Sequence, residues 1–190
     1  MNVPFGSFYT FKNFTDLTQQ ESDEVLHGRN DPEVRRWMTS DRVISADDHR
    51  RFMAGLQGNP HTVYVRIERA GCFAGVYSLN DLFAGSGLGG FWVTAHAREH
   101  LLSLNVVFQG MDYMFRALGI ERIYGCQKQD NLSAIRLNAL LGLALNESGT
   151  ACAEGMQQIE ITKQKWQQKT AHDAKLLKLM NRMETLNGTT

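Results

Sequence analysis

The segment from Gly90 to Leu143 constrains the fold most, because it has the order strand, helix, strand, helix with no long loop. An aromatic and β-branched run at 91–93 predicts a strand, and the long apolar-periodic segment after it predicts a helix. A second strand at 120–124 is followed by a helix that begins at Asp130-Asn131. In such βαβα units, ligands bind where strands end and helices begin. The first of these turns contains Arg98 but no glycine.

The bulk composition limits the class of partner. A chain of 190 residues is long enough for one domain with its own core. Lys+Arg and Asp+Glu number 20 each, so no net field attracts nucleic acid or an anionic membrane. No basic groove with interleaved aromatics is evident, and the apolar runs are too short to cross a bilayer. We expect no nucleic-acid partner and no membrane partner.

The cysteines indicate the compartment. Cys72, Cys126 and Cys152 cannot all pair internally, and none has metal-ligand spacing. We therefore expect buried thiols in a reducing cytoplasm and no metal site. The stretch 1–14 lacks a basic start followed by an apolar core, so we expect no secretory signal.

The other elements complete an α/β pattern. The glycine cluster Gly85–Gly90 precedes a strand instead of joining strand to helix, so it predicts a flexible turn, not a phosphate-binding loop. Leucines and methionines on one side of the last helix fit either docking onto the domain or a homodimer interface. We predict strands at 5–14 and 156–162, a hairpin at 61–79, and helices at 16–30, 33–39, after Ser45, and at 166–186. This order predicts one mixed sheet with helices on both faces.

Several motifs carry a resemblance to a known family; they are Arg29-Asn30-Asp31-Pro32, Trp37-Met38, Ser45, His49-Arg50-Arg51-Phe52, 56–60, 75–79 and Asp130-Asn131. The chain resembles the GNAT N-acetyltransferases over residues 12–165, and among them the pseudaminic-acid-pathway enzymes that acetylate a UDP-linked 4-amino sugar. The resemblance implies a GNAT fold, with a single central, mostly antiparallel mixed sheet that contains a splayed parallel strand pair. It also implies a GNAT-type domain at 1–165 and a C-terminal helical extension at 166–190.

The resemblance implies acetyl-CoA as co-substrate and a small nucleotide-sugar as acceptor, in surface or flagellar glycan synthesis. The residues it implies for substrate binding are Arg29, Met38, His49, Phe52 and Asn80. Ser78 would face the reacting amine. Those implied for the cofactor are Trp92, Val93, Arg98, His100 and Asn131. Arginine suits a phosphate, because its planar fork donates two hydrogen bonds and stays charged.

The chain departs from the family pattern at three positions. The family's pyrophosphate loop is Arg-x-x-Gly-x-Gly/Ala, whereas 98–102 reads Arg-Glu-His-Leu-Leu. Asn138 stands at the position of the family's tyrosine acid, and Cys126 at that of its carboxylate base. The residues that could replace the missing acid or base are Tyr77, Tyr124, His96 and His100. The alternative function is a catalytically impaired binding or regulatory module that keeps the sugar-nucleotide pocket.

The predicted site residues also have ordinary structural interpretations. Arg29 at a helix end is equally a partner of the helix dipole, and Met38 is equally a core residue. His49 fits a solvated helix face, and Phe52 fits the core with one edge on a ligand. Asn131 is expected to cap its helix whether or not a cofactor binds.

Overall fold

The computed structural model describes residues 8–147 and 152–187, so positions 5–7 of the predicted first strand lie outside the described residues. The strands are β1 Tyr9–Asn13, β2 Val63–Arg69, β3 Cys72–Phe83, β4 Ser86–Val93, β5 Arg122–Lys128, β6 Ala144–Leu145 and β7 Met156–Thr162. The helices are α1 Gln19–Asn30, α2 Pro32–Arg35, α3 Ala46–Leu56, α4 Ala95–Glu99, α5 Ser103–Arg116, α6 Leu132–Leu141, α7 Lys163–His172 and α8 Ala174–Asn187. No helix within the described ranges is long and apolar enough to cross a membrane.

The seven strands form one sheet in the order β1-β2-β3-β4-β5-β7-β6. Among the described strands, β4 and β5 make the parallel pair, and the other neighbours are antiparallel. A parallel pair needs a crossover connection, which α4 and α5 supply. The predicted mixed sheet with one parallel pair and helices around it is confirmed.

Strand β4 begins at Ser86, so the prediction of a flexible turn over Gly85–Gly90 is wrong. The turn is confined to Ala84 and Gly85, which have φ of +47° and +77°. The other glycines of the cluster lie in the strand, where neighbouring atoms leave little room for a side chain. A Cβ on Gly89 would lie 2.6 Å from Cγ2 of Ile123. Glycine here allows close packing against the adjacent strand.

The two faces of the sheet bury separate cores. One core joins α5, α7 and α8 to the sheet and includes Met111, Trp166 and Met180. The smaller core lies under α1 and α3 and includes Val25 and Leu56. The Trp92 indole lies against α1 at Gly28, where an added Cβ would come within 2.8 Å of the ring.

The helix ends follow local capping chemistry. Ser45, Asp31 and Asn131 cap their helices as predicted. Helix α1 starts later than predicted, because Thr18 forms a capping box with Glu21.

The helix predicted at 33–39 ends at Arg35. The single helix predicted at 166–186 is two, because Asp173 ends α7 and its Oδ1 accepts from the Leu176 N–H at 2.9 Å. Trp166, Leu176 and Met180 are at most 1% exposed, so both helices pack on the main core.

Candidate active site

The parallel pair opens into a wedge. Residues Ser86–Gly89 of β4 pair with Arg122–Gly125 of β5, and the pairing stops there. Beyond that point Gly90–Val93 pairs only with β3, and Cys126–Lys128 only with β7. The facing edges of the wedge therefore present backbone N–H and C=O groups that no strand satisfies.

Arg98 closes the open end of this wedge. The Thr94 N–H donates to the Ala74 carbonyl at 2.9 Å, so the preceding residue, Val93, turns its carbonyl to the other edge of β4. There Nη1 of Arg98 donates to the Val93 carbonyl at 2.7 Å, and Nη2 donates to Oδ2 of Asp31 at 2.8 Å. Arg98, predicted to bind the cofactor, is held by a strand end and by the cap of α2.

The turn between α4 and α5 has a left-handed backbone conformation at a residue that is not glycine. Leu101 has φ of +56° and its side chain is 67% exposed. Leu102 is the N-cap of α5 and makes no side-chain cap hydrogen bond. A helix start of this kind presents unsatisfied N–H groups and the positive end of the helix dipole, which together bind anions.

The remaining predicted cofactor residues lie at the same end of the sheet. His100 caps the end of α4, its Nδ1 is 2.9 Å from the His96 carbonyl, and the two rings are 4.2 Å apart. Asn131 follows β5, and its Oδ1 accepts from the Ala134 N–H at 3.1 Å. Trp92 turns its indole to α1, so its backbone is the part that faces the wedge.

Arg29 stands at the C-terminal end of α1. Its Nη2 donates to the Ser40 carbonyl at 3.5 Å, whereas Nη1 is buried and has no hydrogen-bond partner among the described residues. Burial lowers the pKa of the guanidinium, and the neighbouring charge of Arg35 lowers it further. Met38, half-buried, follows α2 on the same segment. A buried N–H group without a partner, as at Nη1, is costly unless a ligand accepts its hydrogen bond.

Strand β3 presents Ser78 and Asn80 on the face of the sheet that carries α1 and α3. The Ser78 hydroxyl donates to the Gly90 carbonyl at 3.3 Å, beside the start of the wedge. The Tyr64 hydroxyl donates to Oδ1 of Asn80 at 3.2 Å. Tyr64 is also near enough to Arg29 to affect its pKa. The structure therefore brings Arg29, Asn80 and Ser78 to one face.

His49 is a structural residue of the α1–α3 contact. It is 6% exposed, and its Nε2 lies 2.9 Å from the Ser22 hydroxyl and 3.1 Å from the Ser22 carbonyl oxygen. Burial lowers its pKa. Phe52 is 37% exposed and packs edge-on against Tyr64 at 5.0 Å. Of these two predicted substrate residues, Phe52 is the one with an exposed edge.

The two substituted catalytic positions are both engaged. Cys126 is joined to Cys152 by a disulfide, and Cys72 is an exposed free thiol. The prediction of three buried thiols is therefore wrong, and Cys126 cannot act as a base while its sulfur is bonded. Asn138 is 4% exposed, and its Nδ2 donates to Oε1 of Gln127 at 2.8 Å. Neither side chain supplies a titrating group in this state.

Sequence reasoning missed the partners that hold these side chains. Asp31 was expected only as a cap, yet it also pairs with Arg98, 67 residues away. Gln127 and Tyr64 carried no motif.

An open groove of about 1090 Å³ lies between α1, the start of α2 and the start of α4. Its volume is at the upper end of the roughly 300–1,000 Å³ that small-molecule sites occupy.

Several solved structures have the same fold as this chain. Campylobacter jejuni N-acetyltransferase PseH is 15% identical with a TM-score of 0.62, over 82% of this chain and 98% of that chain. Spermidine N-acetyltransferase from Vibrio cholerae, in complex with CoA and spermine, is 14% identical with a TM-score of 0.72, over 85% and 99%. Mycobacterium smegmatis RimJ, in complex with CoA-disulfide, is 15% identical with a TM-score of 0.66, over 87% and 89%.

The sequence itself matches a family model. The model of the acetyltransferase (GNAT) domain aligns with residues 13–144, from the end of β1 to the start of β6. That range contains the wedge, the α4–α5 turn and the Arg29 segment, and it leaves out α7 and α8. The chain belongs to the GNAT acetyltransferase family.

Proposed function

We propose that the protein transfers an acetyl group from acetyl-CoA to the amino group of a UDP-linked amino sugar. The observation that carries the acceptor class is the buried Nη1 of Arg29, which has no partner among the described residues. A phosphate or carboxylate is the group that a free guanidinium nitrogen of this kind binds best, because arginine stays charged and its fork suits two acceptor oxygens. The PseH and spermidine enzymes share the fold, and their low identity leaves the acceptor to be tested.

The wedge and the α4–α5 turn fit coenzyme A. The unpaired backbone edge of Gly90–Val93 offers partners for the amides of the pantetheine arm. The uncapped start of α5 offers N–H groups for the pyrophosphate, and the left-handed backbone at Leu101 keeps the turn open toward them. Arg98 reaches the phosphates only by leaving Asp31 and the Val93 carbonyl. The bound cofactor supplies the thioester that the amine attacks.

The remaining residues orient the acceptor. Arg29 binds the nucleotide phosphate, while Met38 and the exposed edge of Phe52 contact the base or sugar. Asn80, held by Tyr64, and Ser78 lie on the strand next to the wedge and face the amine. The Val93 N–H, on the same edge as the Val93 carbonyl, polarises the thioester oxygen. Positioning of the two substrates supplies most of the rate.

A second candidate is a GNAT-fold module that binds a nucleotide-sugar without turnover. Three contacts favour it, because Cys126 is in a disulfide, Asn138 is hydrogen-bonded to Gln127, and Arg98 is paired with Asp31.

For the enzyme, we also propose that it is located in the cytoplasm and assembles as a homodimer. Disulfides are rare in the cytosol, so the thiol state of Cys126 in cells tests the location, and light scattering tests the assembly.

Thermal shift with acetyl-CoA, a UDP-linked amino sugar and spermidine separates the candidates. Stabilisation by acetyl-CoA and by the UDP-sugar, with acetylated sugar detected by mass spectrometry, supports the enzyme. Stabilisation by the UDP-sugar alone supports the module, and acetylation of spermidine alone overturns the acceptor class. No stabilisation by millimolar acetyl-CoA overturns the transferase.

A matched pair of variants tests Arg29. Arg29→Gln should abolish the shift caused by the UDP-sugar and leave that caused by acetyl-CoA. Arg51→Gln changes an arginine that is 77% exposed on α3 and should leave both shifts in place. Equal sugar binding by both variants would remove Arg29 from the site.

A further inference from the structure

Tyr77 lies in a slot made by two glycines. It is on β3, it is 3% exposed, and its ring stacks on Phe91 with centroids 6.2 Å apart. A Cβ on Gly110 of α5 would come within 2.8 Å of the ring, and a Cβ on Gly89 of β4 would lie 3.2 Å from the hydroxyl oxygen. The ring therefore extends from α5 toward β4 and brings its hydroxyl to Gly89.

The hydroxyl of Tyr77 has no hydrogen-bond partner among the described residues, and desolvation is what raises its pKa above the usual range. A buried tyrosine hydroxyl normally forms a hydrogen bond, because a buried hydroxyl without a partner costs free energy. Nearby, the Tyr64 hydroxyl follows that rule by donating to Asn80. Tyr77 thus holds its proton at neutral pH and has no described group to give it to.

The position of this hydroxyl is the closed end of the wedge. Gly89 and Gly125 are the last residues of β4 and β5 that pair with each other. Side chains alternate along a strand, so Gln127 lies on the same face of β5 as Gly125. Asn138, bonded to Gln127, comes to that face from α6. In the proposed mode of binding, the pantetheine arm runs from the start of α5 back along β4 toward Gly89.

We propose that Tyr77 is the general acid of acetyl transfer, donating its hydroxyl proton to the sulfur that leaves. This rests on the proposed acetyl-CoA-dependent function and names the group that replaces the tyrosine absent at Asn138. The bond between the acceptor nitrogen and the carbonyl carbon forms, and the carbon–sulfur bond breaks with its electron pair on sulfur. The Tyr77 proton neutralises that sulfur, the surplus proton on nitrogen passes to water, and water reprotonates Tyr77.

The first test is Tyr77→Phe, which keeps the ring and removes only the hydroxyl. We expect kcat to fall by roughly 10²-fold or more, the usual contribution of a positioned acid, with the KM for acetyl-CoA little changed. The loss should shrink for an acetyl thioester with a more acidic leaving thiol, because that sulfur needs no proton. Tyr113→Phe on α5, whose ring stacks on Phe11, removes a hydroxyl elsewhere and should keep kcat.

The second test needs no turnover. Calorimetry should show that the wild-type protein binds coenzyme A about fivefold more tightly than desulfo-coenzyme A, as one neutral hydrogen bond allows. Tyr77→Phe should remove that preference while its Tm stays near wild type. Wild-type turnover that Tyr77→Phe leaves unchanged, or a preference that survives it, overturns the role of Tyr77 alone. Failure of the wild-type protein to bind either form overturns the transferase and this role together.

Discussion

Nη2 of Arg98 and Oδ2 of Asp31 are 2.8 Å apart, so one ion pair joins helix α4 to the N-cap residue of α2. The ion pair therefore connects the open end of the wedge to the segment that carries Arg29. The same guanidinium occupies the Val93 carbonyl on the wedge edge. The edge of the wedge and the start of α2 are therefore linked through one side chain.

Asp31→Asn should release Arg98 and tighten coenzyme A binding. Burial opposes the charge of Asp31, but hydrogen bonds from Arg98 and from the Glu33 N–H outweigh it and lower its pKa. Asparagine keeps the cap of α2, and a part-exposed ion pair contributes at most about 1 kcal/mol, so Tm should change little. Calorimetry with coenzyme A at low and high salt is the measurement. Weaker binding by Asp31→Asn would show that the pair prepares the site and does not block it.

Leu101→Gly should stabilise the protein, because φ of +56° is costly for a residue with a Cβ. Leu101→Ala is the control, since it removes the exposed side chain and keeps the Cβ. We expect the glycine variant to exceed the alanine variant by about 1 kcal/mol in the free energy of unfolding by urea. It should also bind coenzyme A more tightly. Equal stability of the two variants would argue that the turn relaxes at no cost.

His49 should make the fold sensitive to mild acid. Burial lowers its pKa in the folded state, so the unfolded chain takes up this proton first as the pH falls. The stabilisation is complete above the unfolded pKa of about 6.5 and is lost as the pH drops toward the folded value, with a slope of at most about 1.4 kcal/mol per pH unit. Urea unfolding between pH 7.5 and 5 measures it.

His49→Gln should flatten that slope. His172→Gln changes an exposed histidine of α7 and should leave the slope as it is. A wild-type slope in His49→Gln would assign the pH dependence to other groups.

Removing the disulfide should cost about 3 kcal/mol, as expected for a cross-link that closes a loop of 26 residues. Unfolding of the Cys126→Ser/Cys152→Ser variant measures the loss, and Cys72→Ser serves as the matched single-thiol control. Thiol titration of the unreduced protein should find one reactive thiol, that of Cys72. Three reactive thiols would contradict the bridge.

Glu184 should be essential for docking α8. It accepts hydrogen bonds from the Tyr9 hydroxyl at 2.5 Å, from Nδ2 of Asn105 at 2.7 Å and from Nε of Arg69 at 2.9 Å. Glu184→Ala removes the shared acceptor of these three donors and should cost about 3 kcal/mol in the free energy of unfolding. Glu121→Ala breaks an exposed pair with Lys163 and should cost under about 1 kcal/mol. Similar losses in the two variants would contradict the role of Glu184.

Local chemistry was the predictable part of this molecule. Asn131 and Ser45 cap their helices because a cap depends on the next three residues, all visible in the sequence. Apolar periodicity likewise predicted the alternation of strands and helices from 90 to 143, but the connection from β4 to β5 consists of two helices, α4 and α5, and not one.

Contacts between distant residues were not predictable. The bridge from Cys126 to Cys152 and the pair of Arg98 with Asp31 depend on how the sheet brings separate segments together. The glycines of β4 predicted a turn because glycine weakens strands in isolation. In the fold, neighbours such as Ile123 and Tyr77 leave no room for a side chain at Gly89. The sequence does not show that these residues lie beside β4.

The contact of Trp92 with Gly28 makes two distant positions of the sequence interdependent. A methyl group at Gly28 would meet the indole at 2.8 Å and push the end of α1, and with it the adjacent Arg29, away from the strand. Reducing the ring at Trp92 at the same time would restore the room. The position of Arg29 can therefore be altered by a change at Gly28, and the compensating change lies on β4, 64 residues further along the chain.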